Sequence, residues 1–324
     1  MCELVGKKFD VLNDGFVYLV DFMGSDAAIC QAARVSYGKG TKSVSDDEKL
    51  IRYMMRHTHT SPFEQVEFKF HVRTPMDTWR QWIRHRTANV NEYSTRYSEA
   101  IDSCYVAGEW RAQSQSNKQG SEGKLDDKAI KASEHRAQSV ARHEYKQRIR
   151  KGVARELARK DLPLSTYTEA YWKIDLHNLL HFLGLRMDSH AQWEIRQYAN
   201  IIGNEIVAKI VPLAWAAFND YHPKRNAMIL SARDIEVIKN GEFAAEGFGW
   251  LEYSKKLSKC PCCKGDGKMV IDWGHGPITI LENCICDGKG KLHKLKRNRE
   301  RQECAIKLRH LNMNVPWSRW EGEI

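Results

Sequence analysis

Along residues 66–73 apolar and polar side chains alternate: Val66, Phe68, Phe70 and Val72 share one side, Glu67, Lys69, His71 and Arg73 the other. That period of two predicts a half-buried β-strand. A looser alternation over 9–22, interrupted by Asn13-Asp14-Gly15, predicts one or two strands about a turn, and 166–174 reads as another strand. Helical periodicity follows start signals: Ser25-Asp26 precedes 27–35, and Ser45-Asp46-Asp47 precedes 48–56, where Leu50, Ile51, Met54 and Met55 fall on one side. Pro75 suits the first turn of a helix. A charged helix is expected over 126–150 and ends at Gly152; a short one over 153–160 stops at Leu162-Pro163-Leu164. From 191 to 218, Trp193, Ile195, Ile201, Ile202, Ile206 and Ile210 predict one long core or interface helix. Residues 57–64 hold Pro62 and read as a loop, and 105–125, rich in Gln, Ser, Asn and Gly, as a polar surface loop. The expected architecture is α+β, a long helix with a small antiparallel sheet over 1–240, followed by an extension over 241–324.

Composition narrows the class. The 324 residues are 42% hydrophobic, enough for a folded core. The net charge of +10 favours anionic partners such as nucleotides, nucleic acid or glutamate-tailed folates, without choosing among them. No apolar run is long enough to span a bilayer, and the first residues lack the apolar stretch of a signal peptide, so a cytoplasmic protein is expected. Of nine cysteines, Cys260, Cys262, Cys263, Cys284 and Cys286 cluster. In a reducing compartment clustering points to metal rather than to a disulfide. Each half of the cluster is followed by Gly-x-Gly, and 269–281 alternates as a hairpin around 274–277. This segment resembles the zinc knuckles of DnaJ-type chaperones and zinc ribbons. It predicts a zinc-ribbon-like module in which Cys260, Cys263, Cys284 and Cys286 hold a structural Zn2+, with Cys262 spare. The basic run 291–301 reads as a solvated helix, with nucleic-acid contact possible but not favoured.

The densest chemistry lies at 81–98. After an amphipathic start at Trp79–Ile83 the helical pattern is lost, and Arg84, His85, Arg86, Glu92, Ser94 and Arg96 crowd together. Arginine forks match phosphate and carboxylate; the Asn-Glu-x-Ser-x-Arg part adds acceptors and a hydroxyl suited to a neutral polar ring. Further on, His177 and His181 lie four apart on one helical face, but Asn178 stands where a metalloprotease helix carries Glu.

The run from Arg84 to Arg96 resembles the signature of the flavin-dependent thymidylate synthases, Arg-His-Arg-x-x-Ser-x-Asn-Glu-x-Ser-x-Arg, with Asn89 in place of the first Ser. His59 to Glu64 and Arg186 to Ile195 match two further elements of that family, and the resemblance fades after Pro223. It implies reductive methylation of dUMP to dTMP, with methylenetetrahydrofolate as carbon donor, NADPH as reductant and FAD as cofactor, in a homotetramer whose sites draw residues from several subunits. It implies dUMP contacts for Gln81, Arg84, Glu92, Tyr93, Ser94, Thr95, Arg96, Arg159 and Arg186, and FAD contacts for Ser61, Arg84, His85, Arg86, Glu92, Asp175, His177 and His181. His59 is implied to lie beside flavin and folate. Arg159 would hold the nucleotide phosphate, or else serve a structural ion pair. Arg186 would be catalytic, lying against the uracil ring and stabilising its ionised nitrogen, with Asp188 and His190 orienting it. Ser94 has no base-and-orienter pair nearby and is assigned to nucleotide binding. Two other classes stay open: a zinc-dependent nucleic-acid-binding protein on an inactive synthase fold, expected to bind salt-sensitively without flavin, and a partner-recruiting protein whose knuckles carry the function.

Overall fold

The computed structural model describes residues 3–35, 46–115, 119–223 and 225; beyond these it describes the pairing of 269–271 with 279–281 and residues 306, 307 and 311. The chain divides into two units, Met1–Ala227 and Met228–Ile324.

In the first unit, β1 (Lys8–Val11) and β2 (Gly15–Met23) form a hairpin. Then come α1 (Asp26–Arg34), α2 (Asp47–Arg56), a 3-10 turn (Phe63–Gln65), β3 (Glu67–Pro75), α3 (Met76–Trp82) and β4 (Asn89–Glu92). A second hairpin, β5 (Trp110–Gln113) and β6 (Ser121–Leu125), leads to α4 (Lys128–Arg150), α5 (Arg155–Ala158) and a 3-10 turn (Arg159–Asp161). The unit continues through β7 (Tyr167–Asp175), α6 (Leu176–Arg186), α7 (Trp193–Asn200), a π-helical stretch (Ile201–Val207), α8 (Ala208–Ile210) and α9 (Pro212–Tyr221). The main sheet has the order β1-β2-β3-β7-β4 and every pairing is antiparallel.

The alternation along 66–73 does what it predicts. Phe68, Phe70 and Val72 are buried, as are Val17, Leu19, Ala170, Trp172 and Ile174 on neighbouring strands. Helices cover that face, and Trp82 is their hub. Its ring lies 5.2 Å from Trp172, 5.1 Å from Phe182 and 5.7 Å from Tyr198, so the end of α3 is fixed to sheet and helices together. The α4 helix starts where Asp127 accepts from the Ala129 amide at 2.7 Å and buries only Gln138 and Tyr145, as expected of a charged surface helix.

Two expectations change. The single helix over 191–218 is interrupted: Val211 takes φ −129° and ψ 66°, and Pro212 begins a new helix. Proline has no N–H to continue the ladder. The new N-terminus is met by the buried Asp26 carboxylate, which accepts from the Leu213 and Ala214 amides at 2.9 and 3.0 Å. The surface loop over 105–125 contains the β5–β6 hairpin. In the second unit, β8 (Met269–Ile271) pairs antiparallel with β9 (Thr279–Leu281), the hairpin expected there. The proposed zinc ligands Cys260, Cys263, Cys284 and Cys286 lie outside the described residues.

Candidate active site

The 81–98 stretch spans four local structures: the end of α3, a turn, edge strand β4 and a second turn. Ladder bonds to β7 fix the strand, with Val90 opposite Trp172 and Glu92 opposite Ala170. Beyond the strand, the Tyr93 amide donates to the Glu169 carbonyl at 2.8 Å and its hydroxyl to the Glu99 carbonyl at 2.7 Å. Both Glu92 oxygens are engaged: Trp79 Nε1 donates to Oε2 at 3.0 Å and the Thr168 hydroxyl to Oε1 at 2.8 Å. Thr95 is buried and accepts from Arg159 Nη1 at 2.6 Å. Ser94 Oγ accepts from the Arg96 amide at 3.4 Å, and Arg96 pairs with Glu156 at 3.1 Å.

The α6 helix lies against this stretch. Asp175 caps it by accepting from the Asn178 amide at 2.9 Å and the Asn178 side chain at 2.7 Å. At its far end the partly buried Arg186 donates from Nε to His85 Nε2 at 3.1 Å and from Nη2 to the Gln81 carbonyl at 3.2 Å. Accepting at Nε2 requires a neutral His85 ring with its proton on Nδ1. The surroundings enforce that state. Burial, then the Arg186 charge, then His181, whose ring centroid is 5.7 Å away, push the His85 pKa down to about 4. Burial also lowers the Arg186 pKa, though guanidinium remains charged at any working pH.

Arg84 and Arg86 are exposed, and among the described residues neither makes an ion pair or a side-chain hydrogen bond. Arg159 likewise makes no ion pair there, leaving most of its fork open beyond Thr95. Two uncommitted guanidiniums flanking the partly buried His85, and a third held only by Thr95, suit anionic ligands.

His59 and Ser61 are also exposed, but no hydrogen bond, ion pair or ring contact among the described residues links them to 81–96. Their loop reaches α6 through the turn Phe63–Gln65, so α6 is the element both segments share. His190 pairs with Asp188 at 2.8 Å, while His85 and the Gln81 carbonyl hold Arg186.

Sequence reasoning missed the residues that support these groups. The Gln81 amide donates to Gln192 Oε1, and Gln192 Nε2 donates to Asp77 Oδ2 at 3.3 Å. The buried Glu194 accepts from Arg111 at 2.7 Å and from the Tyr105 hydroxyl at 3.0 Å. Burial alone would raise the Glu194 pKa; the Arg111 hydrogen bond, a backbone amide and the Arg111 charge bring it below its usual value. Two clefts among the described residues, of about 760 and 580 Å³, lie elsewhere and are lined by none of residues 81–96 nor by Arg186.

The family model for thymidylate synthase complementing protein matches residues 18–213. A flavin-dependent thymidylate synthase of Thermus thermophilus is 58% identical over 211 residues, covering 65% of this chain and 78% of the relative. That of Wolbachia pipientis wMel is 55% identical over 238 residues, covering 72% and 83%. Among solved structures, the UMP/dUMP methylase PolB from Streptomyces cacaoi, bound with 5-Br dUMP, aligns with a TM-score of 0.60 at 35% identity, covering 68% of this chain and all of that one. The matched region holds β3, the signature stretch, α6 and Arg186 together, and the chain belongs to the flavin-dependent thymidylate synthase family.

Proposed function

We propose that the chain methylates dUMP reductively to dTMP through the face built from 81–96, Arg159 and α6, taking the carbon from methylenetetrahydrofolate. The observation that carries this reading is the partly buried Arg186–His85 contact, with the uncommitted Arg84 and Arg86 on either side of His85 in the chain and Arg159 held only by Thr95. Arg159, with Arg96 beside it, holds the nucleotide phosphate; the exposed Arg96–Glu156 pair is weak enough for a phosphate to displace. Arg186 lies against the uracil, where a permanent cation favours the ionised ring nitrogen. Neutral His85 fixes the angle of that guanidinium by accepting from Nε. Ser94, Thr95, Tyr93 and Gln81 complete the nucleotide pocket, and no enzyme nucleophile is required: positioned charge carries the rate.

The donor set fits FAD. Arg84 and Arg86 are free to grip its pyrophosphate, His85, His177 and His181 offer ring contacts, and the exposed Ser61 and His59 sit on the loop whose turn packs on α6. When bound, the flavin supplies the hydride it has taken from NADPH. Glu92 and Asp175 contribute chiefly by holding β4 and α6 in place, since their oxygens are already bonded within the chain.

Tyr97 at 82% and Val90 at 46% exposure leave large hydrophobic side chains uncovered beside the site, and in this reading neighbouring chains of a homotetramer cover them. Among the described residues no helix is long and apolar enough to cross a membrane, and a cytoplasmic enzyme is the reading we adopt. Cys260, Cys263, Cys284 and Cys286 hold a structural Zn2+ in this proposal, to be checked by elemental analysis of the purified chain.

The test is an absorption spectrum of the purified protein followed by anaerobic titration with dUMP. Flavin bands that shift on adding nucleotide, then dTMP formation with methylenetetrahydrofolate and NADPH, are expected. A colourless protein that fails to take up added FAD would overturn the reading.

A further inference from the structure

Gln81 and Gln192 are amides, each able to present a donor or an acceptor to the other. Left alone, such a pair can flip together without losing a bond. Here a third residue removes the freedom. Gln192 Nε2 donates to Asp77 Oδ2 at 3.3 Å, and an ionised carboxylate only accepts. The other Asp77 oxygen is taken by the Thr78 amide at 2.6 Å, which ties the carboxylate to the start of α3. With its nitrogen turned to Asp77, Gln192 must offer Oε1 to Gln81, and Gln81 must answer with Nε2. Gln81 Oε1 is left without a protein partner among the described residues and is not sealed from solvent. The Gln81 backbone carbonyl meanwhile receives Arg186 Nη2 at 3.2 Å, so this acceptor is carried by the residue that helps seat the catalytic guanidinium.

We infer that Gln192, oriented by Asp77, is a positioning residue that fixes the hydrogen-bond polarity of the nucleotide pocket: it turns Gln81 so that the ligand meets a carbonyl oxygen and must supply a donor. The inference rests on the reading that Gln81 faces the nucleotide. Two groups of dUMP can be that donor: the imide N–H, in the complex formed before the ring nitrogen loses its proton, and the 3′-hydroxyl. A pocket built around one donor rejects an analogue that lacks it, because its own acceptor is left unpaired.

The experiment uses the flavin-loaded full chain and reads nucleotide affinity from the flavin absorbance change. Three ligands are compared: dUMP, dCMP, whose ring nitrogen is an acceptor, and 2′,3′-dideoxyuridine monophosphate, which lacks the hydroxyl. In the wild type one analogue should bind about 5- to 10-fold more weakly than dUMP, and its identity names the donor. Gln192→Leu frees the Gln81 amide to rotate and should shrink that penalty to about 2-fold or less. Asp77→Asn, which can face Gln192 with either end of its amide, should do the same and serves if the leucine variant does not fold. A wild type that penalises neither analogue, or variants that keep the full penalty, would overturn the inference. Gln81→Leu separates the two claims: if it leaves dUMP affinity and both ratios unchanged, Gln81 does not face the nucleotide and the site reading itself fails.

Discussion

The neutral state of His85 has a measurable consequence for stability. An imidazolium there would sit against the Arg186 guanidinium, whose Nε is 3.1 Å from the ring, and beside His181, in a partly buried position. Burial is the larger cause and the charges follow; together they take the pKa from 6.5 down to about 4. At 1.36 kcal/mol per pH unit this disfavours the folded, protonated form by about 3 kcal/mol, and solvent screening of the partly exposed ring brings the figure nearer ~2 kcal/mol. The sign follows from proton counts. Between about pH 6.5 and 4 the unfolded chain binds a proton at this histidine and the folded chain does not, so stability rises with pH across that window. The contribution is complete above about 6.5, is lost as pH falls toward 4, and changes no further below it. His85→Gln keeps an acceptor for Arg186 Nε but cannot titrate. Urea unfolding at fixed chain concentration, at about pH 7 and about pH 5, should show the wild type losing roughly 1–2 kcal/mol more than this variant. Equal losses, or a His85 ring that titrates near 6.5 by NMR, would refute the reasoning.

Three further outcomes follow from the geometry. Arg159→Ala should weaken dUMP binding by about 10- to 100-fold while leaving the affinity for deoxyuridine, which has no phosphate, nearly unchanged; equilibrium titration of both ligands checks it. Asp26→Ala removes the acceptor of the Leu213 and Ala214 amides at the start of α9 and should cost about 2 kcal/mol, read as a lower thermal midpoint. Gly15→Ala places a Cβ 2.0 Å from the Tyr198 hydroxyl and 2.7 and 2.9 Å from the Val11 and Arg73 carbonyls. It should break the 2.9 Å Tyr198–Arg73 bond and cost about 2–4 kcal/mol in denaturant unfolding.

What the sequence disclosed depends on how far each cause reaches along the chain. The strand at β3 was legible because one residue in two meets the core, which is a local property. The β5–β6 hairpin was not, because every residue of β6 is exposed and its alternation carries no apolar face to detect. Pro212, which lacks an N–H, is the local mark of the break at Val211, while the apolar recurrence runs straight across it. Its capping partner, Asp26, lies 187 residues from Leu213, where no spacing rule reaches. The supports of the site have the same character: Arg186 meets His85 across 101 residues and Gln81 meets Gln192 across 111.

The signature stretch shows what such distant partners decide. By composition Glu92, Thr95, Arg84 and Arg86 are alike candidates for ligand contact, because each carries groups that bind polar molecules. Their partners separate them. Glu92 has both oxygens occupied by Trp79 and Thr168, which join β4 to α3 and β7, and Thr95 is buried beneath Arg159. Arg84 and Arg86 are exposed and uncommitted among the described residues. A bound group already satisfied inside the chain gains little by turning to a ligand, whereas an unpaired guanidinium exchanges only water for phosphate oxygens. The motif therefore divides into residues that hold the loop and residues that the loop holds out. Substituting Glu92 should lower both stability in denaturant unfolding and nucleotide affinity, whereas substituting Arg84 should lower FAD retention on purification and leave stability unchanged.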